Sequence, residues 1–326
     1  MNYPWQQQRR QQLQAAIDSR RLPHALLLTG AEGMGISAFA KQLTEDLLCR
    51  DDQQTGQARQ LLAAGTHPDV LLLEPEEEGK QIRVEPVREL INFIHLSSHG
   101  GGYKIAIITP ADAMTRSAAN ALLKTLEEPP ADSLLLLLSH YPFRLPVTIR
   151  SRCQRLHFNP VAAQTALDWF GTQQLQIDDP EAVLDLARGA PLKAVQLHQS
   201  GALEQFQAIT QDLAVLRDSR TEPMGIAEKW LEHNPADLFQ WLLVIFGRMA
   251  RLKCGDFQGG AQHSTINKDL YALAEGLGLA TILDCHHRLS ADYQATVGPF
   301  NLNKQGVLED FAVYWQFQSG NHRLPL

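Results

Sequence analysis

The feature that most constrains this chain is a glycine-rich octet that directly follows a short aliphatic run. The run is Ala25 to Thr29, and the octet is Gly30-Ala31-Glu32-Gly33-Met34-Gly35-Ile36-Ser37. Its spacing matches the phosphate-binding pattern GxxxxGK[ST] at every defined position except one. Ile36 stands where that pattern has lysine. The sequence therefore predicts a phosphate loop that lacks its main cation.

The missing lysine changes what such a loop can hold. In a working loop the lysine neutralises the charge of the β- and γ-phosphates, and the hydroxyl of the last residue helps to hold Mg²⁺. The side chain of Ile36 removes the cation and places an apolar group where the anion would lie, and uncompensated burial of charge is costly. A glycine-rich turn that merely follows a strand is the alternative, and the octet by itself leaves it open.

A second position bears on the same chemistry. The aliphatic run Ile105 to Ile108 predicts the strand that normally ends in a metal-holding aspartate and a water-activating glutamate, but the next two residues are Thr109 and Pro110. Neither can hold Mg²⁺ by a carboxylate or polarise water. Asp112 comes two or three residues too late, and we expect it to cap a helix. We therefore expect no bound nucleotide cofactor and no metal.

The pattern of apolar residues predicts an α/β fold at the start of the chain. Four aliphatic runs are separated by segments that can be helical, as expected of a parallel sheet covered on both faces; they are Ala25 to Thr29, Val70 to Leu73, Ile105 to Ile108 and Leu134 to Leu138. Apolar residues recur at helical spacing between the second and third runs; they are Val84, Val87, Ile91 and Ile94. The run His99 to Gly102 should end that helix.

After about Phe158 the pattern becomes helical. Asn159-Pro160, Asp179-Pro180 and Asn234-Pro235 each resemble a helix N-cap followed by proline at the first helical position. The second of these helices should stop at Gly189, with Pro191 just beyond. We predict a sheet domain over 1–158, a small helical lid over 159–205 and an all-α domain over 206–326.

Composition limits the class of protein. The chain has 326 residues, a net charge of -7 and a pI near 5.9, which argues against a protein that coats nucleic acid through bulk charge. Four widely spaced cysteines suggest neither disulfides nor a zinc knuckle. The first residues lack the apolar core of a signal peptide, and Leu134 to Leu138 is too short to span a bilayer. We expect a cytoplasmic protein that does not enter a membrane.

Longer motifs connect the chain to a known family. The segment Asn120 to Pro130, with the sequence NALLKTLEEPP, is followed by a leucine run and then by Ser151-Arg152-Cys153. Together these closely resemble the bacterial clamp-loader family of AAA+ proteins. Pro23 to Leu27 and Gly65 to Asp69 are similar to a member of that family that does not hydrolyse ATP. The resemblance implies a P-loop AAA+ sheet domain, then a helical lid and an all-α collar domain.

The resemblance also implies roles for particular residues. Arg152 would reach into the ATP site of a neighbouring subunit as an arginine finger, with Ser151 and Cys153 as its motif neighbours. We expect Cys153 to be a buried structural thiol, because no general base is evident nearby. Leu192 stands where active relatives have a nucleotide-sensing arginine. Cys49 is followed by Arg50 to Gln54 without another cysteine, so we predict that the zinc module common in the family is missing.

The function that the resemblance implies is that of a subunit without its own ATPase activity in a clamp loader, part of a DNA-directed DNA polymerase holoenzyme. Its partners would be the ATPase subunit and the delta subunit and, through the complex, the sliding clamp and primed DNA during replication. One alternative is an active AAA+ ATPase with an unusual phosphate loop. Another is a nucleic-acid-binding module, although the densest basic stretch, Arg150 to Arg155, is already part of the family motif.

Overall fold

The computed structural model describes residues 3–49, 55–77, 79–99, 102–218, 221–255, 265–297 and 303–320. The chain divides into two compact units. The first consists of Met1–Leu175 with Arg188–Lys193, and the second of Gln176–Ala187 with Ala194–Leu326. The three-domain division predicted at 158 and 205 stays a prediction.

The first unit is built on a five-stranded parallel sheet in the order β2-β3-β4-β1-β5. Its strands are β1 (Ala25–Gly30), β2 (Val70–Leu73), β3 (Lys104–Ile108), β4 (Ser133–Ser139) and β5 (Gln154–Phe158). Every residue of β1, β3 and β4 is buried, as continuous aliphatic runs require. The α/β fold class and the four predicted strands are confirmed.

The strand β5 was not predicted. Its sequence is Gln-Arg-Leu-His-Phe, and Leu156 and Phe158 are buried while the other three residues are exposed. It pairs with β1 at the edge of the sheet. A short edge strand with one exposed face contains too few apolar residues to stand out as an aliphatic run.

Helices cover both faces of this sheet. Phe39 and Leu43 of the second helix belong to one core cluster with Leu26, and Leu90 and Leu122 belong to the opposite cluster. The α-helices of the unit are α1 (Gln7–Asp18), α2 (Ile36–Leu48), α3 (Thr55–Ala63), α4 (Val84–Ile94), α5 (Arg116–Glu127), α6 (Val147–Arg150) and α7 (Ala163–Thr172). Three 3-10 helices accompany them, at Pro4–Gln6, Ala111–Ala113 and Pro142–Arg144.

Two expectations about helix ends can be compared with this unit. The helix predicted from Val84 to Ile94 is confirmed as α4. The run expected to end it is His99 to Gly102, of which Gly100 and Gly101 lie outside the described residues. The start predicted at Asn159-Pro160 is wrong, since α7 begins at Ala163. The backbone N–H of Val161 instead donates to the carbonyl of Gly189 at 2.9 Å. That bond ties the segment to another loop before the helix can start.

Among its described residues, the second unit contains helices and connecting turns and no strand. The remaining helices are α8 (Pro180–Leu186), α9 (Pro191–Gln199, which begins in the first unit), α10 (Ala202–Arg217), α11 (Pro223–Trp230), α12 (Pro235–Lys253), α13 (Thr265–Ala274), α14 (Leu279–Val297) and α15 (Lys304–Ser319). The predicted cap at Asp179 is confirmed, because its carboxylate accepts from the N–H of Ala182 at 3.0 Å. However, α8 ends at Leu186, before Gly189, and Pro191 begins α9.

The core of the second unit surrounds α12. This helix begins at Pro235, as predicted, and packs against α10, α13 and α14. Phe246 lies edge-on to the rings of Phe311 and Trp315, with ring centres 5.9 and 5.0 Å away. Arg248 is buried and donates to Asp185 and Asn267. In the described parts of the chain, no helix combines the length and apolar character needed to cross a bilayer.

Candidate functional site

The glycine-rich loop joins β1 to α2, as its spacing predicts. Gly33 and Gly35 have φ angles of 84° and 76°, in the region that favours glycine. The side-chain amide of Gln6 donates to the carbonyls of Met34 and Gly35, at 2.9 Å each. The indole N–H of Trp5 donates to the same Met34 carbonyl at 3.1 Å. The loop is therefore held in place by side chains from the start of the chain.

The same loop is also held by the segment that leads into α9. The N–H of Leu192 donates to the carbonyl of Gly33 at 3.1 Å, and Lys193 forms an ion pair with Glu32 at 3.2 Å. A Cβ atom on Gly33 would lie 2.4 Å from the backbone nitrogen of Lys193. Glycine is therefore required at this position by close backbone packing as well as by its φ angle.

Ile36, the residue in the place of the lysine, is the first residue of α2 and is 3% exposed. It packs in the core cluster that contains Phe39 and Phe158. Its Cδ1 atom reaches to 3.3 Å from where a Cβ atom on Gly30 would lie. The side chain thus fills the space at the end of β1 and offers no charge to a phosphate.

The carboxyl end of β3 lacks the acidic pair. Thr109 extends the pairing with β2 through its N–H, which donates to the carbonyl of Leu73 at 3.0 Å, and Pro110 follows it. The expectation that Asp112 caps a helix is wrong, because its carboxylate accepts from the hydroxyl of Ser139 at 2.5 Å. Sequence spacing could not show this contact, since Ser139 ends another strand.

Other polar groups at this edge of the sheet also bond to the protein itself. His140 contacts the carbonyl of Gly30 at 2.9 Å, and Thr29 contacts His157 at 2.9 Å. Within the described residues, no three His, Cys, Asp or Glu side chains come together as a metal site would require. Cys49 is described, but Arg50 to Gln54 lie outside the described residues.

Arg152 lies on the turn between α6 and β5. Its Nε atom donates to one oxygen of Glu127 at 2.8 Å, and its Nη2 atom lies 2.6 Å from the same oxygen as an ion pair. Its Nη1 atom donates to the backbone carbonyl of Thr148 at 3.0 Å. An arginine has five N–H bonds, and the two hydrogen bonds leave at least one N–H on each terminal nitrogen without a hydrogen-bond acceptor among the described residues. The side chain is 36% exposed.

The two residues that flank Arg152 contact the protein itself: Ser151 bonds to the backbone and Cys153 packs in the core. The hydroxyl of Ser151 donates to the carbonyl of Thr148 at 3.2 Å. Cys153 is buried in the core cluster that also holds Leu122 and Leu126, and this burial raises the pKa of its thiol to about 12. A thiol with that pKa stays protonated and is a poor nucleophile, as expected for a structural cysteine.

Side chains from the other two family-like segments, Pro23 to Leu27 and Gly65 to Asp69, bond to neighbouring parts of the first unit. The ring of His24 contacts the carbonyl of Leu126, at 3.0 Å, near the end of α5. The buried carboxylate of Asp69 accepts from the N–H of His99, at 2.9 and 3.1 Å to its two oxygens, and from Lys104 at 3.1 Å. Sequence reasoning missed the contacts of Glu127 and Ser139, because each joins two elements that are far apart in sequence, although Glu127 itself lies in the segment Asn120 to Pro130.

The strand order and the glycine-rich loop after β1 define a P-loop AAA+ type of domain, in which Ile36 stands where the loop pattern has lysine. Residues 5–162 match the family model described as DNA polymerase III, delta subunit. The DNA polymerase III subunit delta' of Pseudomonas aeruginosa is 36% identical over 96% of this chain and 97% of its own length. The subunit delta' of Escherichia coli is 37% identical over 74% of each chain. This chain belongs to the family of DNA polymerase III delta' subunits.

More distant proteins are similar as well. The DNA polymerase III subunit tau of Bacillus subtilis is 27% identical over 64% of this chain and 37% of its own length. The crystal structure of a gamma subunit-related protein from Thermotoga maritima covers 94% of this chain and 99% of that chain, with 19% identity and a TM-score of 0.43.

Proposed function

We propose that this chain is a clamp-loader subunit that does not hydrolyse ATP and that supplies Arg152 to the nucleotide site of a neighbouring ATPase subunit. The observation that carries the proposal is the arrangement of the Arg152 guanidinium. Glu127 and Thr148 bind it, and at least one N–H on each of its terminal nitrogens has no hydrogen-bond acceptor in the part of the chain that the structure describes. Two such N–H bonds match two oxygens of a phosphate.

The rigid base under Arg152 favours this role. Thr148 lies on α6 and Glu127 ends α5, whose Ala118, Ala119 and Leu122 are fully buried against the sheet. A guanidinium held in this way loses little conformational entropy when it meets a phosphate. An arginine supplied by a partner stabilises the charge that develops during phosphoryl transfer, and such fingers contribute about 10³- to 10⁵-fold in rate.

Three positions support the absence of ATP hydrolysis by this chain itself. Ile36 is buried where a lysine would meet phosphates, and Thr109 with Pro110 stands where two carboxylates would hold Mg²⁺ and activate water. Leu192 replaces a nucleotide-sensing arginine and is bonded through its backbone to Gly33. Each defect alone would impair phosphoryl transfer.

The second unit would assemble with other subunits in a collar. Its helices α14 and α15 expose large apolar side chains, among them Leu283, Val313 and Phe317, the last of which is 73% exposed. Surfaces of this kind favour protein contacts. In the assembled loader, together with the ATPase subunit and the delta subunit, ATP binding by the other subunits would open the sliding clamp and place it on primed DNA.

The test is ATP hydrolysis by a loader reconstituted from purified subunits. The loader should contain this chain, its Arg152→Ala variant or its Arg88→Ala variant, in which an exposed arginine of α4 is removed as a control. We expect primed DNA to stimulate hydrolysis with the wild type and the Arg88 variant and much less with the Arg152 variant, at equal assembly. Equal hydrolysis by all three would contradict the proposal.

A further inference from the structure

Three large apolar side chains that are close together in sequence are exposed just before Arg152. Phe143 is 87% exposed, Val147 67% and Tyr141 59%. Phe143 is the most exposed large apolar side chain in the described part of the chain. We call these three residues the apolar ridge. Exposed apolar side chains that follow one another within seven residues favour contact with another macromolecule, because such contact removes them from water.

The segment that carries the ridge is held by backbone hydrogen bonds and by two buried residues, Leu145 and Ile149. Leu145 and Ile149 are buried in the core cluster on this side of the sheet. The N–H of Leu145 donates to the carbonyl of Pro142 at 3.2 Å, and that of Ile149 donates to the carbonyl of Pro146 at 3.1 Å. The ridge therefore projects from an anchored segment, and ordering it on binding costs little conformational entropy.

Arginines accompany the ridge. The guanidinium of Arg144 lies 4.6 Å from the ring centre of Tyr141, and that of Arg150 lies 5.7 Å from the ring centre of Phe143. The segment from Ser139 to Phe158 contains four arginines, at 144, 150, 152 and 155, and no aspartate or glutamate. In a chain with a net charge of -7, this is a basic segment, and it complements an acidic partner surface.

The ridge is continuous with Arg152. The N–H of Ser151 donates to the carbonyl of Val147 at 2.9 Å, and the N–H of Arg152 donates to the carbonyl of Ile149 at 3.1 Å. Arg152 also bonds through its side chain to Thr148, which directly follows Val147. A partner that accepts Arg152 at its nucleotide therefore meets the ridge beside it.

We propose that the apolar ridge docks this chain onto the neighbouring ATP-binding subunit, with Phe143 inserted in an apolar pocket whose rim is acidic. The inference rests on the proposed function, because it takes the partner of the ridge to be the subunit that receives Arg152. Hot spots of protein interfaces combine aromatic and arginine side chains in this way. Stacked bases of single-stranded nucleic acid are the other occupant such residues could bind. Val147 offers a base no stacking surface, and Arg144 already lies against Tyr141, so the protein partner fits better.

The experiment titrates the full chain into the other purified loader subunits and follows assembly by sedimentation velocity. Phe143→Asp should weaken assembly about tenfold or more, as loss of an interface hot spot does, and Phe143→Ala should weaken it less. Leu96→Asp is the matched control, since Leu96 is also exposed, at 63%, and belongs to the same unit; it should assemble like the wild type. Circular dichroism checks that each variant is folded.

The outcomes separate this inference from the proposed function. If Phe143→Asp assembles as tightly as the wild type, the docking surface is wrong, whatever Arg152→Ala does to ATP hydrolysis. If Phe143→Asp weakens assembly but Arg152→Ala leaves hydrolysis unchanged, the docking surface stands and the arginine finger is wrong. If Phe143→Asp leaves assembly unchanged and lowers the affinity of the loader for single-stranded DNA, measured by fluorescence anisotropy, the ridge binds nucleic acid and the inference is overturned.

Discussion

One carboxylate oxygen of Glu127 accepts a hydrogen bond from Nε of Arg152 at 2.8 Å and lies 2.6 Å from Nη2 of the same guanidinium, with which it forms an ion pair. The two residues are 25 positions apart in sequence and meet because α5 and α6 pack together. The pair fixes the plane of the guanidinium while it leaves part of the outer edge open. Glu127 is therefore a positioning residue for the proposed arginine finger.

Replacement of Glu127 by alanine should lower DNA-stimulated ATP hydrolysis by the assembled loader about two- to fivefold, the equivalent of an exposed ion pair worth up to about 1 kcal/mol. Glu127→Gln should lose less, because the amide oxygen can still accept a hydrogen bond. The matched control is Glu128→Ala, which removes the next exposed carboxylate. If Glu127→Ala lowers turnover further when Arg152 is already alanine, Glu127 does not act through Arg152.

A lysine placed back at position 36 should not create an ATPase. Ile36→Lys restores the GxxxxGK[ST] pattern, but Thr109 and Pro110 still provide no carboxylate for Mg²⁺ or water. The lysine would also enter a buried site, so we expect the free energy of unfolding to fall by more than about 2 kcal/mol. Ile36→Val, the control, should cost about 0.5–1.5 kcal/mol. Steady ATP hydrolysis by the purified Ile36→Lys chain would contradict the account.

Gly33 and Gly79 form a matched pair for testing the packing of the loop. Both have a positive φ, 84° and 80°, but a Cβ atom on Gly33 would lie 2.4 Å from the backbone of Lys193, whereas one on Gly79 would have no atom of the described residues within 4 Å beyond its chain neighbours. Gly79→Ala should lower the free energy of unfolding by about 1 kcal/mol through its φ angle. Gly33→Ala should lower it by about 1–3 kcal/mol more, because the backbone must shift. Urea denaturation measures the free energy of unfolding of both variants. Equal decreases for the two would show that residue 33 does not pack closely against the backbone of Lys193.

The cysteines should differ in reactivity. Burial raises the pKa of Cys153 and Cys285 to about 12, whereas Cys254 is exposed. Because the thiolate is the reactive form, a disulfide reagent at pH 8 should label Cys254 quickly and the other two after unfolding. Rapid labelling of Cys153 in the folded chain would contradict its burial.

The same raised pKa has a consequence for stability. Above about pH 9 the thiol of Cys153 ionises in the unfolded chain while the folded chain keeps its proton, so the free energy of unfolding falls as pH rises from 9 towards 12. Between pH 8 and pH 10 this thiol should account for about 1 kcal/mol of the fall. Urea denaturation of the wild type and of Cys153→Ala measures that share, and an identical fall in both would contradict it.

The strands that the sequence predicted are those that are continuous aliphatic runs. Leu134 to Leu138 could be assigned because β4 is buried on both faces, so the five residues between its terminal serines are all apolar. The strand β5 could not, because Gln154, Arg155 and His157 are exposed. Caps were predicted where a local side chain binds the helix end, as Asp179 does. The start at Asn159 failed because a distant carbonyl, that of Gly189, binds the N–H of Val161.

The sequence predicted which types of residue occupy the candidate site, but it did not predict which groups they contact. Local spacing predicted that Ile36 stands in place of the lysine and that Thr109 and Pro110 stand in place of the carboxylates. The partner of Arg152, by contrast, is set by how α5 packs against α6, and the partner of Asp112 by the neighbouring end of β4. Contacts between separate elements depend on tertiary packing, which a single sequence does not state.

The measurement that tests the central claim most directly is single-turnover ATP hydrolysis by the assembled loader on primed DNA, with ATP binding measured separately. We predict that Arg152→Ala leaves ATP affinity nearly unchanged and slows hydrolysis at the site served by this chain by about 10³-fold or more. Arg152→Lys should rescue little, because an ammonium cannot reproduce the two-pronged contact of a guanidinium. Unchanged hydrolysis by an intact loader that contains Arg152→Ala would contradict the claim.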